Sequence, residues 1–523
     1  MSSLPGKAAN KGLKGLLTAR SELAFLPIIG AAVLIMQFHI TKQLSQFPAD
    51  IIFVPLVATI GAAMAINACL ALIFRDIEKS SVLTLGLLGF FFSFLIFEPF
   101  VSASVNLVVL LQCWWIFLIF ASAILFIMKK RWANVGSALS TVLLTFALFQ
   151  VFAVWAHETR GEYLTARFLQ LKDKSADVSK DSLGIPKSKP DVYYVILDGC
   201  GSDQVLKSVF NDDQSSYTAE LRKLGFIVPT NNHSNYSMTL FSLAATLNME
   251  YINELSQIIG SNGVDFSVNN WLIRHNAVIR VFRKYGYKIV HVSSGFGPTW
   301  WNPVADENLH CGWFNECVFS VLQRSLLVIT SYSDLLNGLR QVRLCGFDQL
   351  QASSKIKGPK FVFVHIILPH PPYLFGKDGQ PIQKNTNMNF KVEDALDRTA
   401  YSDQANFAKN RLKQVIANIL QNSSTPPVIV LQSDHGPATL GDLNSPDPKP
   451  DYIVERMGTF NALYLPGVPA SEVPDDFTSV NTFRIVFNKC LGAHYPLLPN
   501  RSFMSTYSQP FNIKDVSAHV NGN

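Results

Sequence analysis

Two short stretches carry residues able to do chemistry. In VYYVILDGCGSD, residues 192–203, an apolar, β-rich run stops at Asp198 and turns through Gly199 and Gly201. In VIVLQSDHG, residues 428–436, a second such run ends in Asp434 and His435. A third run, KFVFVHIIL, leads into PHPPY and delivers His365 and His370. Carboxylates combined with imidazoles suit Zn2+ or Mn2+ better than Ca2+, whose shells are built from oxygen. Each feature alone has an ordinary explanation. Asp-Gly after a strand commonly makes a turn, and a single histidine is commonly a satisfied polar group. Three strand ends of matching chemistry favour a divalent-metal site over coincidence.

Such a site needs strands that end together. From residue 191 onward, strand-like runs (VYYVIL, FIVP, YKIVHVS, KFVFVHIIL, PVIVLQ, NALYLP) alternate with amphipathic helical patterns. The helical patterns are SSYTAELRKLG, WLIRHNAVIRVFRKYG and AYSDQANFAKNRLKQVIANILQ. This alternation predicts an α/β domain with a mostly parallel sheet covered on both faces. In such sheets ligands bind beyond the carboxyl ends of the strands, where Asp198, Asp434 and His435 fall.

Ahead of this domain the chain is apolar. Of 523 residues 48% are hydrophobic and 38 are Phe, concentrated at the front. About five runs of roughly 20 residues are long enough to cross a bilayer: 23–40, 50–74, 81–101, 104–128 and 136–156. The first follows a basic segment, as a signal peptide would, but shows no small-residue cleavage site and leads straight into further spans. Lys7, Lys11, Lys14 and Arg20 precede the first run; Arg75 and Lys79 lie between the second and third; Lys129, Lys130 and Arg131 lie between the fourth and fifth. The opposite loops hold only Lys42. The positive-inside rule then predicts a cytoplasmic N-terminus and an exterior domain after residue 156. The expected organisation is a membrane domain at 1–156, a juxtamembrane linker at 157–190 with a short helix in GEYLTARFLQLKDK, and a catalytic domain at 191–523.

Residues 1–156 hold 10 Lys+Arg against 5 Asp+Glu, so +5 of the formal +6 belongs to the apolar segment. The remainder is nearly neutral, which excludes a nucleic-acid footprint. Of seven cysteines, Cys69 and Cys113 fall in apolar runs; Cys311 and Cys317, in HCGWFNEC, are spaced to bridge in an oxidising exterior. No CxxC pair occurs.

With LDG and SDHG in place, the chain resembles the alkaline phosphatase/sulfatase superfamily. Its layout is most similar to the membrane-bound branch of phosphoethanolamine transferases and lipoteichoic acid synthases (phosphoglycerol transferases), which also carry five spans before an outward-facing sulfatase-like domain. The resemblance implies a nucleophile at a helix start between LDG and SDHG, in SNYSMTLFSLAATLN. The transferase pattern assigns it to Thr239, with Ser242 in the next turn. A helix N-terminus offers free N–H groups to a phosphoryl oxygen, although a threonine there could equally serve as an N-cap. Sulfatases need C/S-x-P-x-R; Phe241 and Leu243 occupy the Pro and Arg positions. His365-x4-His370, followed by Pro371 and Pro372, is similar to the transferases' H-x4-H-G-P segment. It implies that His370 contacts the donor phosphate or leaving group; His365 is a substrate-contact candidate beside it, or equally a buried structural histidine. Asp198 stands where the closest transferases have Glu. Arg456, Asp403 and SGFGPTWWNP (294–303) are further substrate-contact candidates.

The resemblance therefore implies a metal held by Asp198, Thr239, Asp434 and His435, Zn2+ or alternatively Mn2+. The implied reaction moves a phospholipid's phosphoethanolamine or phosphoglycerol group, through phospho-Thr, to an envelope glycan or glycolipid at a bacterial inner membrane. A membrane-tethered phosphodiesterase or phosphatase, or a non-catalytic lipid sensor, are the alternatives.

Overall fold

A computed structural model describes residues 25–42, 46–92, 132–173, 183–382 and 396–520. These residues form two compact units. Met1–Leu44, Ala49–Thr159 and Cys317–Leu335 delimit one; Ser45–Pro48, Arg160–Glu316 and Leu336–Asn523 delimit the other.

In the first unit the described helices are Leu26–Lys42, Phe53–Phe74, Ile77–Phe91 and the start of Trp132–Asp173. Among the described residues only Ala49–Phe74 and Ser140–Lys172 are long and apolar enough to cross a membrane. Two of the five expected runs thus fall on such helices. Helix Leu26–Lys42 has 17 residues and Ile77–Phe91 has 15, at or below the lower limit for a bilayer crossing. The run 104–128 and the end of 81–101 lie outside the described residues, as do the basic clusters at 7–20 and 129–131. Leu72, Ile73, Val142, Leu148 and Phe149 are exposed, as the lipid-facing side of a membrane helix requires. Helix Ile77–Phe91 starts where Asp76 accepts hydrogen bonds from the Glu78 and Lys79 amides, both at 3.1 Å. Trp132–Asp173 runs through 157–173 as one helix of 42 residues. Residues 317–335, which the sequence pattern assigns to the exterior domain, pack with the first unit; the Leu326 amide there donates to Phe91 O at 3.0 Å.

The second unit is built on a six-stranded sheet: β1 (Val192–Leu197), β2 (Lys288–Val292), β3 (Glu307–Leu309), β4 (Lys360–Ile366), β5 (Val428–Gln432) and β6 (Asn461–Tyr464). The order is β3-β2-β4-β1-β5-β6, all parallel except β6. The mostly parallel sheet is as expected. FIVP, however, forms only an isolated bridge between Ile227 and Leu463. The expected helix WLIRHNAVIRVFRKYG is two helices, because Asn276 caps Ala277–Lys284 by accepting the Ile279 amide at 2.8 Å.

Both faces of the sheet are covered, which explains the unbroken apolar strands. Val192, Tyr194 and Ile196 of β1 pack into a core with helices Thr239–Asn248, Ala277–Lys284 and Thr482–Cys490. Tyr193, Val195 and Leu197 pack oppositely, with Phe347 and Leu350 and with Leu412, Val415 and Ile416 of helix Arg398–Asn422. Fully burying one such aromatic or aliphatic side chain contributes roughly 1.5–3 kcal/mol. The centre of the sheet is therefore rigid, and side chains set on its carboxyl ends inherit that rigidity.

The disulfide joins Cys311 to Cys345, with Cα atoms 5.5 Å apart, and not to Cys317. Proximity in sequence misled here, because helix Leu327–Ser353 brings a cysteine from 34 residues away against the end of β3.

Candidate metal and phosphoryl-transfer site

β1 is the central strand, flanked by β4 and β5, so its carboxyl end gathers residues from both neighbours. Ile196 pairs in register with His365 on one side and Gln432 on the other. Asp198 follows two residues after Ile196, and Asp434 two residues after Gln432. Gly199 has φ +72°, a conformation that lets the chain turn away directly behind Asp198. Its amide donates to Asp434 Oδ1 at 3.0 Å, tying the two strand ends together.

One ligand atom each from Asp198, His365 and Asp434 lie within 4.8 Å of one another, all buried. His365 Nε2 is 3.3 Å from Asp198 Oδ2; His435 Nε2 is 3.2 Å from Asp434 Oδ2 and 3.8 Å from Asp198 Oδ1. Asp198 Oδ1, Asp434 Oδ2 and His365 Nε2 are buried without hydrogen-bond partners. Orphaned carboxylate oxygens in a protein interior are costly, and a divalent cation satisfies several at once. The donor set of two carboxylates and two imidazoles fits Zn2+ or Mn2+.

Electrostatics follow the same geometry. Burial works to raise the Asp198 pKa, but the interactions with His370 and then His365 outweigh it and hold the carboxyl below its ordinary range. Asp434 shifts upward, through burial and then the Asp198 charge. Burial and then the Arg456 charge drive His435 far below the usual imidazole range, so its ring is neutral. Its Nδ1 lies 3.0 Å from Gly436 O, which can only accept; the proton is on Nδ1 and the Nε2 lone pair faces the site.

Thr239 is the first residue of helix Thr239–Asn248; Met238 occupies the N-cap position. The threonine is thus not a cap. Its Oγ1 lies 3.0 Å from His435 Nε2, and the residue is partly exposed. A hydroxyl at a helix N-terminus, against a metal-type cluster, can act as a nucleophile toward phosphorus.

The structure brings Asp198, Thr239, Asp434 and His435 together as expected from the sequence. His365, a candidate for substrate contact or for a buried structural role, is 1% exposed and lies against the carboxylates, because its register with Ile196 carries it under the sheet end. Ser242 is buried and donates to Asp434 O at 2.6 Å, which supports the loop bearing Asp434 and His435. His370 is half-buried, with its amide donating to Asp198 O at 3.0 Å and Nδ1 2.6 Å from Pro371 O. Arg456 is buried and clamps both sides of the site, donating through Nε to Ser237 O at 2.8 Å and through Nη1 to Gly436 O at 2.9 Å. Asp403 lies half-buried on helix Arg398–Asn422.

Several supporting residues carry no motif. Ser234 donates to Asp434 O at 2.6 Å; Ser433 accepts the Cys200 amide at 2.8 Å and donates to His435 O at 2.6 Å. Tyr401 donates to Gly199 O and accepts the Gly201 amide, both at 2.9 Å. Arg343 donates to Pro372 O at 2.8 Å and holds the segment that bears His370. Gly436 is needed for close packing, since a Cβ there would meet Glu455 O at 2.1 Å. Serines and a tyrosine with partners hundreds of residues away leave no local pattern. Only SDHG's glycine hinted at this crowding.

No protein-family model and no curated protein matches the chain. Solved structures do resemble it. The integral membrane protein lipooligosaccharide phosphoethanolamine transferase A (EptA) from Neisseria meningitidis matches over 90% of this chain and 95% of its own, at 13% identity and TM-score 0.40. The C-terminal periplasmic domain of EcEptC from Escherichia coli matches over 65% and 94%, at 11% identity and TM-score 0.41. The phosphonate monoester hydrolase of Agrobacterium radiobacter matches over 60% and 80%, at 12% identity and TM-score 0.39. The solved structures it is similar to thus include phosphoethanolamine transferases, a 2-O GAG sulfatase and a phosphonate monoester hydrolase.

Proposed function

We propose that this chain is a membrane-anchored, divalent-metal-dependent enzyme that transfers a phospholipid's phospho-head group, phosphoethanolamine or phosphoglycerol, to a hydroxyl of an envelope glycan or glycolipid. The observation that carries this reading is the Thr239 hydroxyl set 3.0 Å from His435 Nε2, beside buried carboxylate oxygens that have no partner. Asp198, Asp434 and His435 would hold the ion, Zn2+ or Mn2+, together with the Thr239 oxygen. When bound, the ion supplies positive charge that acidifies the threonine hydroxyl and stabilises phosphoryl oxygens.

The chain's own residues do the rest. Thr239 passes its proton to solvent as its oxygen attacks phosphorus; the bond from phosphorus to the diacylglycerol oxygen breaks, and that oxygen takes up a proton from solvent. The substituted phosphoryl group then sits on Thr239 until an acceptor hydroxyl attacks, losing its proton as the threonine oxygen regains one. Helix Thr239–Asn248 directs its free amides at the phosphoryl oxygens. Arg456 keeps the Thr239 and His435 backbones in fixed relation, and His370 meets the phosphate or the leaving group. The apolar first unit serves a lipid donor, and the reading assigns the catalytic domain to the exterior of a bacterial inner membrane.

The test is incubation of the full chain with head-group-labelled phospholipid. Label on Thr239, found by peptide mass spectrometry after acid quench, supports the covalent path. Label released only as a free phosphate ester, in the presence of envelope glycolipid acceptors, would replace transfer by hydrolysis. Mass spectrometry of lipids and glycans from cells with and without the protein names the group and its acceptor.

A further inference from the structure

We infer that His365 is a further ligand of the same divalent ion, and that Thr299 is the positioning residue that turns its lone pair toward that ion. The inference rests on the metal reading above and extends it to two residues outside the LDG and SDHG motifs.

Three imidazoles surround Asp198, and two have their tautomer set by the main chain. His435 Nδ1 faces Gly436 O at 3.0 Å and His370 Nδ1 faces Pro371 O at 2.6 Å. A carbonyl only accepts, so each Nδ1 carries a proton. His365 is arranged in the same sense: Nδ1 faces away from the carboxylates, and Nε2 lies 3.3 Å from Asp198 Oδ2 with no hydrogen-bond partner. Its Nδ1 partner, however, is a side-chain hydroxyl, Thr299 Oγ1 at 3.0 Å, which can donate or accept. The direction of that hydroxyl decides whether Nε2 offers a lone pair.

Ser294 Oγ accepts the Phe296 amide at 3.0 Å and lies 2.6 Å from Thr299 Oγ1, so the two hydroxyls share one hydrogen bond that can run in either direction. When Thr299 gives its proton to Ser294, it accepts His365 Nδ1–H and leaves Nε2 unprotonated toward the ion. Thr299 itself cannot swing. It is fully buried, its amide donates to Phe296 O at 3.0 Å, and its carbonyl accepts from the Ser294 amide at 3.3 Å and from His291 Nε2 at 2.8 Å. The Phe296 ring stands edge-on to His365, centroids 5.8 Å apart. Hydrogen bonds of this kind orient metal-binding imidazoles, and their removal typically weakens metal binding 10–100-fold.

The experiment titrates the metal-stripped full chain with Co2+, reading the visible absorption bands, and measures Zn2+ retention against a chelator. Wild type should take up the ion, which tests the metal reading by itself; no uptake by wild type would remove both. Thr299→Val keeps the side-chain volume and loses the hydroxyl; it should weaken binding about 10–100-fold and shift the Co2+ bands. Thr299→Ser should restore both. His365→Ala should weaken binding at least as much as Thr299→Val, with altered bands. Ser294→Ala, the second route should Thr299→Val fold poorly, should weaken binding about 10-fold through loss of the hydroxyl's acceptor. Wild-type affinity and spectrum in His365→Ala, or in both Thr299→Val and Ser294→Ala, would overturn the inference while leaving the ion with Asp434 and His435.

Discussion

The carboxyl ends of β5 and β4 both deliver an imidazole to Asp198, but they secure it differently. At β5, His435 is held by the carbonyl of the next residue, within a loop that Ser433, Ser234 and Ser242 bind from three sides. At β4, His365 is held by a threonine hydroxyl from a segment 66 residues earlier in the chain. A main-chain anchor survives substitution of almost any neighbour. A side-chain anchor is one mutation from failure. The difference teaches why the β5 end can be read as a compact motif, whereas the β4 end looks like an ordinary histidine in an apolar strand.

Substitutions at the two ends should therefore separate. The largest effect falls at β5: His435→Ala or Asp434→Asn should reduce transfer by about 10³-fold or more and empty the metal site, measured by labelled-lipid turnover and metal analysis. Thr239→Ala should lose turnover to a similar degree but keep most of the metal, since it removes one oxygen while the carboxylates remain. Full activity in that variant would end the phospho-threonine path. Arg456→Lys cannot bridge Ser237 O and Gly436 O together, and turnover should fall about 10–100-fold with metal retained.

Farther from the ion the effects become ones of stability. Cys345→Ser opens the covalent loop to Cys311; unfolding should become easier by about 3 kcal/mol, with the turnover constant little changed. Of comparable size, but visible only in acid, is a pH slope. Burial lowers the His291 pKa to about 4, whereas the unfolded ring titrates near 6.5. Below pH 6.5 the unfolded chain takes up a proton that the folded one refuses, so stability falls as pH drops from 6.5 toward 4, by roughly 1.4 kcal/mol per pH unit. His291→Gln should flatten that part of the curve in thermal or denaturant unfolding between pH 7 and 4. An unchanged slope would show that His291 does not couple the β2 strand to Thr299 as a neutral ring.

Expectation and structure diverge where contacts are long-range. The parallel sheet was legible because VYYVIL, KFVFVHI and VIVLQ are apolar at every position, a pattern that only a strand buried on both faces can tolerate. FIVP shares that composition yet makes a single bridge, since composition records burial and not pairing. The Cys311 partner was missed for a similar reason: short spacing suggested Cys317, and a helix brought Cys345 closer. In the apolar front segment, two of the five expected crossings coincide with described helices long enough to span, and the 23–40 run forms a helix at the lower limit of that length.

By itself the sequence determined the residue types at the strand ends: Asp198, Asp434 and His435 each follow an apolar run, and period and turn chemistry locate such junctions without any partner. The helix start at Thr239 came from the family resemblance, since spacing alone fits an N-cap equally well, and the structure has Thr239 as the first helical residue. Only the tertiary structure decided which of these groups share a cation-sized space, because that depends on β1 lying between β4 and β5. The same strand order put His365 among the carboxylates and withdrew Ser242 to their support. It also gave the direction of each imidazole to a carbonyl or a hydroxyl, since a tautomer is set by what the opposite nitrogen touches, and that partner is known only once the chain has folded.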